Sequence, residues 1–214
     1  MRAYLDDQPL ELSGKPGGQT LAAAMEAGKL AADAAGRMII EVWADGAAAP
    51  GEHLEDPPAD DPYAGELRFI SVVPAELVSS AMIEAAENLV RVREPQQAAA
   101  GALARGETGE AMKSVAVCLQ AWESARKAMQ DGCAVLGVTP TELVSEADAP
   151  RVARAIDDLL SALRDVQTAV QNQDVATLAD VLAYDLDELS DTWEQLLRSM
   201  AELAGRAPAG GDLA

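Results

Sequence analysis

Histidine is almost missing from this chain: His53 is the single one among 214 residues. Paired histidines for a zinc centre, and the twin Glu-x-x-His motifs of di-iron bundles, are therefore excluded. His53 lies in a proline-rich stretch beside Glu52 and Glu55 and is expected to be an exposed loop residue; no Ser-His-Asp or Cys-His set assembles around it. The two cysteines, Cys118 and Cys133, are too few for a disulfide framework. One helix is expected to carry both, and at about 1.5 Å rise per residue they stand roughly 22 Å apart, too far to bridge unless the helix breaks at Gly132. They read as two buried thiols packing as small hydrophobes.

Basic residues are also scarce. Sixteen Lys and Arg face 36 Asp and Glu, for a formal net charge of −20. A field of that sign repels phosphate backbones and anionic lipid heads, so neither nucleic acid nor a membrane surface is an expected partner, whereas a basic protein is. No apolar run approaches the 18 or more residues of a membrane span. Met1–Leu5 meets Asp6-Asp7 too soon for a signal peptide, and a reducing, cytoplasmic home is the expectation. Aromatics are only 3% of the chain, yet hydrophobic residues make up 49%, which rules out an acidic disordered tail and suits close-packed, alanine-rich helices.

What is there divides at Ser71–Leu77. Before that stretch the pattern is strands, turns and one helix. Tyr4-Leu5 and Leu10–Leu12 flank the turn Asp6–Pro9. Ser13–Gly18 breaks the chain; although Gly14-Lys15 precedes a helix, Pro16 stands where a phosphate-binding loop needs Ser or Thr, so a plain linker is favoured. Thr20 caps a helix that Gly36 ends. Met38–Trp43 is a β-rich run, Asp45-Gly46 a hairpin turn, Ala47–Ala49 a brief edge strand and Pro50–Leu54 one helical turn. An acidic proline-rich loop over 55–65 leads to a last strand, Glu66–Val72.

This order of elements resembles the ubiquitin-like β-grasp fold over residues 1–73. The resemblance implies one helix covering one face of a small mixed sheet. It does not imply conjugation or sulfur carriage, because the chain runs on into helices with no diglycine end. Strict alternation would put Met38, Ile40 and Val42 on one face, and Ile39, Glu41 and Trp43 on the other, with Leu67 and Phe69 opposed to Ile70 and Val72. The face away from the helix is left with apolar side chains. It either docks on the helical half, which the short tether at Val73-Pro74 favours, or binds a partner through Ile39, Trp43 and Ile70.

Beyond Pro74 only helices are expected: 74–94, a short one over 96–104 after a restart at Pro95, 108–136, a turn opened by the capping box Thr139–Glu142, 150–172, and one long helix after the Asp174 cap. Stripes such as Val152, Ile156, Leu159, Leu163, Val166 and Val170 indicate an antiparallel bundle, and the same heptad pattern would also serve a homo-oligomer. The expectation is an α+β chain: a β-grasp-like domain over 1–73, an all-α bundle over 74–205, and a disordered tail over 206–214.

Candidate surface residues on the last helix are Tyr184, Asp185, Asp187 and Asp191. Asp187 and Asp191 share a face at four-residue spacing. A solvated acidic face attracting Lys- and Arg-rich partners is the favoured reading; an acid–base site would require Tyr184 and Asp185 in a closed pocket. Pro74–Val78 followed by Met82–Ala86 resembles the opening helix of flagellin-type export chaperones, acidic bundles that cradle an amphipathic client, which implies a groove between helices. No cofactor, metal or catalytic residue is expected, and the leading expectation is a non-catalytic interaction or adaptor protein, with the chaperone second and an enzyme third.

Overall fold

The structure, a computed structural model, describes residues 1–12 and 18–206. The Ser13–Gly18 linker therefore lies outside the described residues except for Gly18, and the expected tail lies outside them beyond Arg206. The chain divides into two compact units, one over Met1–Leu77 and the other over Val78–Ala207.

The first unit is a five-stranded mixed sheet with one long helix. Its elements are β1 (Arg2–Leu5), β2 (Gln8–Leu10), α1 (Leu21–Ala34), β3 (Met38–Ala44), β4 (Ala47–Ala48), α2 (Gly51–Glu55) and β5 (Glu66–Val72). The strand order is β2-β1-β5-β3-β4; β1 and β5 are parallel, and the other neighbours antiparallel. This arrangement is compatible with a β-grasp-like start. Both hairpins turn on two residues of positive φ, Asp6 (47°) with Asp7 (66°), and Asp45 (47°) with Gly46 (84°). Such primed turns match the right-handed strand twist, and Asp and Gly tolerate the conformation best. Thr20 accepts a hydrogen bond from the Ala23 amide at 3.3 Å and opens α1, which lies on the sheet through Leu21, Ala24, Gly28 and Ala32. A Cβ at Gly28 would stand 3.2 Å from the Phe69 ring, so the bare glycine lets helix and strand approach.

The alternation expected of β3 fails at one residue. Ile39 pairs with Ser71 and Glu41 with Ile70, leaving Ile40 as a β-bulge without a partner. The extra residue reverses the facing of everything before it. Ile39 thus packs against the core with Val42 and Phe69, and is not on the outer face with Trp43. Ile40 takes that place.

An ionic network ties the ends of the sheet. The Asp6 carboxylate accepts hydrogen bonds from the Ser71 amide (2.7 Å), the Ser71 hydroxyl and Arg37 Nε (3.1 Å), and Arg37 also donates to the Ser71 carbonyl at 2.7 Å. His53 is not an isolated loop residue either: its Nδ1 lies 2.8 Å from the Tyr63 hydroxyl and the rings meet edge to face, which pins α2 to the acidic loop.

The second unit is a helical bundle of α3 (Pro74–Ala104), whose opening turn belongs to the first unit, α4 (Thr108–Val135), α5 (Pro140–Leu143), α6 (Ala149–Gln171), α7 (Val175–Asp180), a π-helical turn (Val181–Asp185) and α8 (Leu186–Arg206). Gly132 of α4 meets Val78 of α3, Trp122 meets Gln96, and Gly205 of α8 meets Ser79, so α4 and α8 both run antiparallel to α3. Trp193 of α8 donates to the Ala155 carbonyl of α6 at 3.1 Å while Arg151 reaches Gln195, which sets α6 antiparallel to α8. The result is an up-down-up-down bundle. Its centre is the buried pair Trp122 and Trp193, edge to face with ring centroids 6.3 Å apart.

Two helix boundaries differ from expectation. Pro95 does not restart the chain; α3 continues through it. Proline removes one backbone bond and costs about 3 kcal/mol in a helix interior. Here it sits on the exposed side, as does Arg91 one turn earlier, and the turns beyond it bury Gln96, Ala99, Ala100 and Leu103 in the same core. The last helix is interrupted by the π turn at 181–185. Widening shifts the following residues on the helix face and keeps Leu182, Leu186 and Trp193 all buried. Gln96 and Gln97 satisfy carbonyls there, donating to Leu182 (3.0 Å) and Ala183 (2.9 Å).

Candidate functional site

Three surfaces carry the exposed chemistry. The first is the outer face of the sheet, the side away from α1. Cross-strand register sets Trp43 beside Arg68 and Arg68 beside Tyr4, a row over β3, β5 and β1. The Arg68 guanidinium lies 5.3 Å from the Tyr4 ring centroid and bonds Glu66 and Asp7, each at 2.8 Å. Trp43 donates to Glu41 at 2.7 Å. Ile40 is 44% exposed, Trp43 37% and Ile70 36%, so three large apolar groups stand among bonded polar ones. Trp43 and Ile70 were legible as candidates; Ile40, Arg68 and Tyr4 were not. The signal that would have found Ile40 is the bulge, which needs the pairing partner to be seen.

The second surface joins α3 to α8. Asp187 and Asp191, expected as a free acidic pair, both accept from Arg93: Nε and Nη2 reach the Asp187 carboxylate at 2.8 and 3.2 Å, and Nη1 reaches Asp191 at 2.6 Å. Hydrogen bonding to Arg93 holds the Asp187 carboxyl below the usual carboxylate range against the opposing effect of its burial, and the two carboxylates in turn raise Arg93. These residues clamp two helices together.

The third is a groove of about 570 Å³ between α6 and α8, open to solvent. Its floor reaches the buried Ala155 and Ala162 and the half-buried Leu189, its hydroxyls are those of Ser161 and Thr192, and Arg151, Arg154, Asp158, Asp165, Asp185 and Glu188 supply its charges. A smaller hollow shares Asp165 and Asp185 and extends toward Asp174 and Asp180. Asp185 therefore lines a groove, whereas Tyr184 is 70% exposed and does not line it.

Among the described residues, no three His, Cys, Asp or Glu side chains stand where they could hold one metal ion. Cys118 and Cys133 are free and buried, and burial pushes the Cys133 thiol up to about 11. No helix among the described residues is long and apolar enough to cross a membrane. Comparison with protein-family models, with curated proteins and with solved structures found no match.

Proposed function

We propose that the protein is a non-catalytic protein–protein interaction or adaptor module, acidic and cytoplasmic, built from a β-grasp-like unit and a helical bundle. The observation that carries this reading is the outer sheet face, where Ile40, Trp43 and Ile70 are exposed together. A Trp beside aliphatic groups, with bonded polar residues around them, has the make-up of an interface hot spot. The strand order, with its parallel central pair, favours the β-grasp reading, although kinship with ubiquitin-like proteins rests on topology alone.

The test is affinity capture from the native cell with wild-type protein, Trp43→Ala and Ile40→Asp, followed by identification of the captured proteins and by thermal melts. Loss of a specific protein with an unchanged Tm supports the reading. Loss of stability in both variants, or capture that neither variant alters, sinks it. A second reading, an export-type chaperone for an amphipathic client, is favoured by the groove between α6 and α8. Capture of a secreted or flagellar client by wild type, lost on groove substitution, selects that reading.

A further inference from the structure

The buried side of the last helical run counts one residue too many. From α7 into α8 it is marked by Leu178, Leu182, Leu186, Ser190, Trp193, Leu197, Met200 and Ala204, all buried. Successive steps between them are 4, 4, 4, 3, 4, 3 and 4 residues. A regular helix keeps one face inward by alternating steps of three and four, because each step of four alone turns that face by about 40°. Taking one residue out between Leu182 and Leu186 leaves 4, 3, 4, 3, 4, 3 and 4, an unbroken alternation. The structure puts the π turn, Val181–Asp185, on that same stretch, and the Leu186 amide donates to the Val181 carbonyl five residues back. Two carbonyls of the turn are held from α3: Leu182 accepts from Gln96 at 3.0 Å and Ala183 from Gln97 at 2.9 Å. Tyr184 and Asp185 stand out in solvent there, while Leu182 and Leu186 on either side are fully buried.

We infer that the π turn is a one-residue register joint: a surplus residue lodged in an otherwise regular α7–α8 helix, which the fold does not require and which lets the turn open while α7 and α8 stay packed. Both flanks are anchored without it. Before the turn, Asp174 caps α7 by accepting from the Thr177 amide at 3.0 Å, and Leu178 and Ala179 are buried. After it, Ser190 donates to the Leu186 carbonyl at 2.9 Å and Trp193 to the Ala155 carbonyl of α6 at 3.1 Å. Opening gives up the two glutamine bonds and the wide backbone bond, and the side chains it moves first, Tyr184 and Asp185, are already in water. Single π turns inside α-helices recur at functional sites, where a local change of register serves the chemistry or the contact. The joint belongs to the bundle alone and does not rest on the sheet face as a binding surface.

The experiment compares, in the full-length protein, deletion of Tyr184, deletion of Gln195 and the length-preserving Tyr184→Ala. Thermal melts are followed by far-ultraviolet circular dichroism, and amide hydrogen exchange by NMR. Gln195 is an exposed residue of α8, and its loss turns the buried Leu196, Leu197, Met200, Ala201 and Ala204 by about 100° relative to the helix before them. Deletion of Tyr184 is expected to keep a cooperative melt within about 4 °C of wild type, whereas deletion of Gln195 lowers the midpoint by more than about 10 °C. In wild type the Asp185 and Leu186 amides are expected to exchange at least about tenfold faster than those of Leu197 and Met200; deletion of Tyr184 slows them to the rate of the rest of α8, and Tyr184→Ala does not. A deletion of Tyr184 at least as damaging as that of Gln195 overturns the inference, and so does equal tolerance of both. Wild-type exchange at Asp185 and Leu186 as slow as at Leu197, or exchange there that the deletion leaves unchanged, overturns it too.

Discussion

The indole nitrogen of Trp122 donates to the side-chain oxygen of Gln96 at 3.0 Å, and the amide of that same glutamine donates to the Leu182 carbonyl at 3.0 Å. Gln96 is 1% exposed, so one side chain links α4 to the π turn through the middle of the bundle. Gln96→Leu fills the space but leaves a buried donor and a buried acceptor unpaired. Each such orphan costs about 1–3 kcal/mol, and the substitution is expected to lower stability by about 3 kcal/mol in urea unfolding. Gln97→Leu, at an exposed neighbouring site with one comparable bond, is expected to lose far less.

Gly132 tests how closely α3 and α4 approach. A Cβ there would stand 2.9 Å from Val78 Cγ1 and 3.3 Å from the Met82 methyl, inside ordinary contact distance. Gly132→Ala gains about 1 kcal/mol of helix propensity and meets overpacking of about 1–3 kcal/mol, so a net loss is expected. Gly109→Ala, on the same helix with nothing within 4 Å, is expected to raise the melting temperature. Opposite signs for two identical substitutions on one helix, seen by calorimetry, would establish the close approach.

Asp6 gives the first unit a defined dependence on pH. Burial opposes ionisation, but hydrogen bonds from the Ser71 hydroxyl and amide and the charge of Arg37 outweigh it, and the carboxyl is held below its ordinary value. A depressed carboxylate stabilises the fold fully above its unfolded-state pKa of about 3.9, and the contribution disappears as pH falls through the lower folded-state value. The Ser71 amide resonance is expected to titrate with a midpoint below that of a free aspartate. Asp6→Asn, which tolerates the positive φ, is expected to be less stable than wild type at neutral pH, with the gap closing in acid.

Local signals carried most of the element boundaries. Thr20, Asp174 and the Thr139–Glu142 box cap helices as their sequence offsets imply, with the Thr139 amide donating to Glu142 at 2.7 Å. Gly36 ends α1 at φ 64°. What escaped depends on partners distant in sequence. The Ile40 bulge exists only against β5, and it moved Ile39 off the outer face that Trp43 and Ile70 share. The π turn is supported by Gln96 and Gln97, and the Asp187–Asp191 pair is occupied by Arg93, all on another helix. Acidic spacing on one helix cannot reveal an arginine on another, nor can it separate the paired Asp187 from the groove-lining Asp185.

The two cysteines report on the bundle without any substitution. Cys118 and Cys133 are both 0% exposed, Cys133 beside the Gly132 contact and Cys118 near the Val92 carbonyl. Burial raises both thiols, Cys133 to about 11. Only the thiolate alkylates. At pH 8 a thiol of pKa about 11 is ionised roughly two-hundredfold less than one at about 8.5, before access is considered. Iodoacetamide is therefore expected to label native protein only through opening of the bundle, at a rate that scales with the open population and with thiol ionisation where reclosing outpaces reaction. Labelling in urea should be fast and follow ordinary thiol titration. Gln96→Leu should accelerate native-state labelling by the factor its lost stability dictates, about a hundredfold for 3 kcal/mol under conditions where reclosing outpaces reaction. Rapid labelling of native wild type would instead show that the α3–α4 contact opens without the rest of the bundle.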